Sequence, residues 1–180
     1  MFPKRYADAV ARLRVPFGFV LVGAFAWLSH PSAMSLAAGF PVAVLGLALR
    51  AWAAGHLEKN SQLAVSGPYR FVRNPLYVGT LVAAAGLAVA SRRWLLGVVF
   101  GVVFLFVYLP VIQLEEQHLR GLFPEYGEYA RRVPALLPWG VGEGDSTRRF
   151  RWALYVRNRE YEALVGLLAG AAFLIGKVFW

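Results

Sequence analysis

The sequence contains no cysteine, which excludes disulfide bridges, thiolate metal sites and a cysteine nucleophile. Charge is also scarce. Only 16% of the 180 residues are Asp, Glu, Lys or Arg, against roughly 25% in an ordinary soluble domain, too few to cover a water-facing surface. Residues 15–49, 74–91 and 94–114 carry no charged side chain at all. There is no Gly-rich phosphate loop and no Rossmann fingerprint, so a nucleotide-like cofactor would have to be held by other means. His30, His56 and His118 stand far apart, without the spacing of a metal site, and no metal is expected.

What the sequence does have is apolar length: 58% apolar residues and a mean hydropathy of +0.51. Uncharged runs of about 18 residues or more can cross the roughly 30 Å hydrocarbon core as helices, which satisfy their own backbone hydrogen bonds. The alternation that barrel strands need is missing. These features predict an all-α, polytopic integral membrane helical bundle of about five spans, forming a single domain over residues 1–180. The first run breaks at Ser29-His30-Pro31-Ser32, which puts spans near 15–28 and 36–57. Further spans follow near 75–90, 94–114 and 163–180, the last with Lys177 and Trp180 as interfacial anchors. The short Ser91-Arg92-Arg93 corner makes the third and fourth spans an antiparallel hairpin. Arg50, inside the second span, either snorkels to the interface or faces the bundle interior.

Lys4, Arg5, Arg12 and Arg14 precede the first apolar run as they would in a signal peptide. With no small-residue cleavage site and further spans to follow, a retained first span is expected. The net charge of +9 reads as basic loops facing anionic headgroups rather than as a nucleic-acid site. Basic residues concentrate before the first span, in the second loop and after the fourth span, outnumbering the opposing Arg92-Arg93 corner. The N-terminus, the second loop and residues 115–159 are therefore expected on the cytoplasmic side. Residues 115–132 suit a helix leaving the membrane to lie along its surface, and the Gly-rich stretch 139–145 suits irregular structure.

Three polar constellations fall on that side. The first, Ser66-Gly67-Pro68-Tyr69-Arg70-Phe71-Val72-Arg73-Asn74-Pro75-Leu76-Tyr77-Val78-Gly79, sets a turn and then starts a helix at Asn74-Pro75. Pro is tolerated there because its missing N–H costs nothing, and the free N–H groups of a helix start favour a carboxylate or phosphate. A plain interfacial cap with an aromatic and basic belt would give the same pattern. The second is Glu115-Glu116 at the end of the fourth span, read either as a surface pair with Arg120 or as a carboxylate facing a polar pocket. The third runs from Leu122 through Phe123-Pro124-Glu125-Tyr126-Gly127-Glu128-Tyr129 to Arg131-Arg132-Val133-Pro134 and Pro138. It is either a surface helix stopped by proline or a set of Tyr and Arg donors over the bundle mouth.

Together, and in this order, these segments over residues 56–138 resemble the isoprenylcysteine carboxyl methyltransferase and phospholipid N-methyltransferase family. The resemblance implies a membrane-embedded methyltransferase using S-adenosylmethionine without a Rossmann domain. Its acceptor would be an amphiphilic or lipid-anchored molecule entering from the bilayer. Tyr69, Val72, Arg73, Asn74, Pro75 and Tyr77 would hold the cofactor with Glu115 and Glu116, and Glu116, Arg131 and Arg132 would serve catalysis. Asn74 stands where the family often has His; it can donate and accept hydrogen bonds but cannot become charged near neutral pH.

Methyl transfer suits so sparse a site. The protein must bring a nucleophile about 3–3.5 Å from the methyl, and an amine nucleophile would need a carboxylate to take its proton. An anionic headgroup would find a bidentate partner in Arg131 or Arg132. Two rival readings share the same residues: an NADPH-dependent sterol-type membrane reductase and a non-enzymatic membrane scaffold. The short chain and the paired Glu115-Glu116 favour the transferase. No feature of the sequence assigns an oligomeric state.

Overall fold

The computed structural model describes residues 2–138 and 147–179. The stretch 139–145 and Trp180, singled out above as irregular structure and as an anchor, lie outside the described residues. The described chain is all-helical, with no strand among its elements. The long helices are α1 (Lys4–Leu28), α2 (Ala33–Ala54), α3 (Pro75–Ser91), α4 (Trp94–Leu122) and α7 (Tyr161–Phe179). A 3₁₀ turn at Gly67–Arg70 precedes α3, and two short helices, α5 (Tyr126–Arg132) and α6 (Trp152–Arg157), follow α4. Among the described residues α2, α4 and α7 are long and apolar enough to cross a membrane, and α1 joins them as a pair bent by 55° next to Pro16. With 17 residues, α3 is about 26 Å long.

The bundle is organised around α2 and α3, whose backbones touch. Gly39, Ala43 and Gly46 of α2 face Gly79, Ala83, Gly86 and Ala90 of α3. A Cβ added at Gly79 would meet Gly46 O and Arg50 Cγ at 2.6 Å, so only small residues fit this seam. Without a hydrophobic force between helices in lipid, such close approach is what holds them together. At one end of the bundle α2 begins with a capping box between Ser32 and Ser35. Here Ser35 Oγ also donates to Ala90 O (2.9 Å), and His30 N donates to Ser91 O (2.9 Å). Lys177 donates to the carbonyls of Ala26 and Ser29, 2.8 Å each, joining α7 to the C-terminus of α1.

Several boundaries differ from the sequence expectation, the first helix beginning at Lys4 rather than near 15 and the second at Ala33 rather than 36. The second helix stops at Ala54 rather than near 57, because the chain turns at Gly55 to meet the 150–151 segment: Arg151 N donates to Gly55 O (3.0 Å). The fourth helix does not end at 114. It runs through Glu115 and Glu116 to Leu122 and breaks only at Phe123, which Pro124 pushes into an extended conformation. Within α4, Phe104–Tyr108 forms a π-helical turn ahead of Pro110. Pro110 has no N–H to give Phe106 O, and the Tyr6 hydroxyl donates to that carbonyl instead at 2.7 Å. This contact, with Gln113 bonded to the backbone of Phe2, docks α1 onto α4.

The polar ends therefore gather together. The C-termini of α2 and α4 and the N-termini of α1, α3 and α7 share one end of the bundle. There a small separate core forms outside the apolar helices, in which Leu63 of the α2–α3 loop is buried with Tyr126, Tyr129 and Val133.

Candidate active site

The three polar constellations meet at this end. Arg73 is the hub, half-buried, with its guanidinium gripping Glu116 by Nε to Oε1 (3.0 Å) and Nη2 to Oε2 (3.2 Å). Its Nη1 donates to the carbonyls of Ala130 (2.6 Å) and Val133 (3.0 Å). The backbone continues the join: Arg73 N donates to Pro134 O (2.8 Å) and Asn74 N to Ala135 O (3.2 Å). Asn74 Nδ2 donates to Glu116 Oε1 (3.1 Å) and Ala135 O (3.2 Å). A neutral amide suits this position, since both of its partners are acceptors.

Glu115 does something different. Neighbouring residues on a helix point about 100° apart, and while Glu116 turns to Arg73, Glu115 is exposed and accepts from the Tyr77 hydroxyl at 3.0 Å. Tyr77 packs edge-on against Tyr108 from the π turn, ring centroids 6.0 Å apart. Between Tyr77, Glu115, Asn74, Tyr69 and the roof made by residues 57–64 lies a small cavity of about 80 Å³.

The back wall is built of tyrosines. Tyr129 donates to Tyr69 O (2.8 Å), and Arg120 sits over the Tyr126 ring at 5.4 Å. Burial, then the Glu116 charge, pushes the Tyr126 phenol up to about 12. Burial also raises Tyr69 and Tyr129 well above the usual phenol range. All three phenols are neutral at physiological pH.

The helix start is less open to anions than its sequence suggests. Tyr77 N and Val78 N both turn back onto Asn74 O (3.1 Å), which leaves Leu76 as the N–H through which an anion would meet α3. Of the remaining candidates, Pro75 lines the cavity, Val72 is buried behind it, and Arg131 and Arg132 are exposed on α5, away from its lining. Arg132 stands 3.9 Å from Glu128, both more than half exposed.

The roof reads in the sequence as an ordinary polar loop, and Tyr108 is marked there only by Tyr108-Leu109-Pro110 inside an apolar run. Arg50 faces inward. It grips Glu160 through Nε (2.5 Å) and Nη2 (3.0 Å) and donates to Thr80 Oγ1 (2.5 Å). Arg50, Thr80 and Tyr108 line a second, much larger hollow of about 710 Å³ among α1, α2, α3, α4 and α7, otherwise walled by apolar groups such as Leu47, Leu87 and Phe104.

Fold and cavities define an all-helical membrane protein with a carboxylate- and tyrosine-lined pocket at one bundle end and an apolar hollow beside it. Residues 42–126 match the family model for phospholipid methyltransferases, so this stretch is similar to that family. The chain is 36% identical over 123 residues to the cobalt-zinc-cadmium resistance protein CzcN of Cupriavidus metallidurans, covering 67% of this chain and 54% of that protein. It is 40% identical over 72 residues to methanethiol S-methyltransferase 1 of Bradyrhizobium diazoefficiens, covering 39% of this chain and 24% of that one. Over 85 residues it is 38% identical to a probable protein-S-isoprenylcysteine O-methyltransferase of Oryza sativa subsp. indica, covering 47% and 44%. The chain spans about half the length of the first curated relatives it matches. No solved structure matches it.

Proposed function

We propose that this chain is an S-adenosylmethionine-dependent methyltransferase acting on an amphiphilic acceptor in the bilayer. In this reading it is one membrane domain of five spans, with its N-terminus and site on the cytoplasmic side. The observation that carries the reading is the Tyr77–Glu115 contact across a pocket that adjoins a bilayer-level apolar hollow.

The donor set suits the cofactor. Glu115 offers an exposed carboxylate to an ammonium, and Tyr69 and Tyr77 offer ring faces and hydroxyls. The cavity's 80 Å³ is smaller than the roughly 300–1,000 Å³ of ligand sites, so loading requires the 57–64 roof to lift, as active-site lids do. S-adenosylmethionine would supply an electrophilic methyl on a sulfonium. The protein's part is positioning, electrostatics and, for an amine or thiol acceptor, removal of a proton. Glu115 is the carboxylate placed for that proton or for the cofactor's charge. Glu116, saturated by Arg73 and Asn74, positions the wall that holds them. Tyr108 and Tyr77 stand between the pocket and the apolar hollow, where the acceptor's hydrocarbon part would lie. Relatives named for thiol and carboxyl methylation support the reaction class and leave the acceptor group to experiment.

The test is thermal melting of the detergent-purified chain with S-adenosylhomocysteine or NADPH, since a ligand that binds the folded state raises the melting temperature. A rise with S-adenosylhomocysteine, reduced in Glu115→Gln, is expected. A rise with NADPH alone would replace this reading with the reductase.

A further inference from the structure

A third cavity, of about 360 Å³, lies on the far side of the same roof. Its outer wall is residues 148–154, a segment outside the family match, and its inner wall is residues 55–66. Arg148, Arg149 and Arg151 line it with the Glu58 carboxylate among the described lining residues, and Arg148, like Arg151, already holds a partner. Arg151 is paired with that carboxylate and, through its backbone N–H, with Gly55 O. On the inner side His56 bonds Ser66 Oγ (3.0 Å), with the Phe150 ring edge-on to it at 6.5 Å between centroids. Burial lowers the His56 pKa, so the imidazole is neutral at pH 7 and the charge of the cavity comes from its arginines.

The position of this cavity is interfacial. Phe150, Trp152 and Tyr155 form a chain of edge-on rings, 5.1 and 5.4 Å between centroids, and Trp152 is 71% exposed on α6. Amphipathic aromatic rings beside arginines, at the ends of apolar helices, mark the headgroup level of a bilayer. Glu58, Gln62, Leu63 and Ala64 line both this cavity and the Tyr77–Glu115 pocket, so one loop forms a wall of each.

We propose that the cavity between residues 55–66 and 148–154 is a second ligand site, for a phosphate-bearing anion at the bilayer surface, and that its occupancy sets the position of the roof over the methyl-transfer pocket. Arginines fork onto phosphate oxygens bidentately, and a cavity of this volume falls within the range of small-ligand sites. Because the two pockets share the loop, a ligand in one changes the affinity of the other, and linkage makes that effect reciprocal. The link to methyl transfer rests on the function proposed above; the anion site itself does not.

The test uses the full chain in phosphatidylcholine nanodiscs, with and without phosphatidylglycerol, and separately with inorganic phosphate titrated in. Phosphatidylglycerol should raise the melting temperature of the wild type. Arg148→Gln with Arg149→Gln should weaken the apparent affinity about tenfold or more. Arg5→Gln with Arg12→Gln, an equal charge loss on α1 at the same bundle end, should leave it unchanged. An equal loss in both double variants would reduce the effect to surface attraction and overturn the site, as would no rise with either probe. A rise with inorganic phosphate as large as with the lipid would support the site with a soluble anion as its occupant. S-adenosylhomocysteine affinity, measured in both lipids, should change with phosphatidylglycerol in the wild type and not in Arg148→Gln/Arg149→Gln. Equal affinity in both lipids would overturn the coupling. A chain that binds lipid but no S-adenosylhomocysteine would sink the methyltransferase reading and leave the anion site standing.

Discussion

Two arginine–glutamate pairs in this protein have the same geometry and different surroundings. Arg73–Glu116 and Arg50–Glu160 are both bidentate and both largely hidden from water. Arg73 goes on to two backbone carbonyls and shares Glu116 with Asn74, so its pair fastens three chain segments into the wall of the polar pocket. Arg50 goes on to Thr80 and fastens the start of the last helix to the α2–α3 seam, at the edge of the apolar hollow. One pair builds the site; the other joins the family-matched stretch to the segment beyond it. What a buried ion pair does is decided by what else its members hold.

Removing one partner of a buried pair leaves the other charge uncompensated, which costs about 3–5 kcal/mol. The largest effect should come from Glu116→Ala, which frees both Arg73 and the Asn74 amide. Unfolding in a mixed-detergent titration should show a loss of that size, together with loss of S-adenosylhomocysteine binding. Arg50→Ala leaves Glu160, 7% exposed, without its partner and should cost an amount within that range, but it frees one carboxylate where Glu116→Ala frees a guanidinium and an amide. Here proteolysis should release the 147–179 segment while S-adenosylhomocysteine affinity stays within a few-fold of wild type. If both variants abolish binding equally, the division between the pairs is wrong.

Smaller effects sharpen the division. Tyr77→Phe removes one hydroxyl bonded to Glu115, about 0.5–1.5 kcal/mol, and should lower S-adenosylhomocysteine affinity several-fold in calorimetry with stability nearly unchanged. The smallest effect concerns His56, whose pKa burial holds below its usual 6.5. The folded state then binds fewer protons than the unfolded chain, so its stability is full above pH 6.5 and falls as pH drops through the folded pKa. Melting temperatures measured downward from pH 7.5 should decline below pH 6.5 in the wild type and less in His56→Gln.

Much of this was legible in the chain. The uncharged runs located the helices, because in lipid the polar backbone of an apolar run has to satisfy its hydrogen bonds internally. Pro75 fixed the start of α3, which the structure places one residue after Asn74 as read. The order of the polar segments pointed to one shared site. The ends of α2 and α4 were less legible, since α2 stops where a distant segment meets Gly55, and the helix expected over 115–132 is in part a direct continuation of α4 to Leu122 and in part the separate α5. Arg131 and Arg132 stand out in the sequence as basic residues beside Val133-Pro134, yet it is the carbonyls of Val133 and Pro134 that accept from Arg73.

By itself, then, the sequence determined a helical membrane chain with its polar chemistry in three short segments, since hydropathy and proline placement act locally. Tertiary structure decided which of two adjacent glutamates faces the pocket and which is locked to Arg73. It also brought residues 148–154 against a loop ninety residues earlier in the chain. Those outcomes depend on rotations and long-range contacts that appear only once α2 and α3 have closed on their glycines, and no window of sequence contains them.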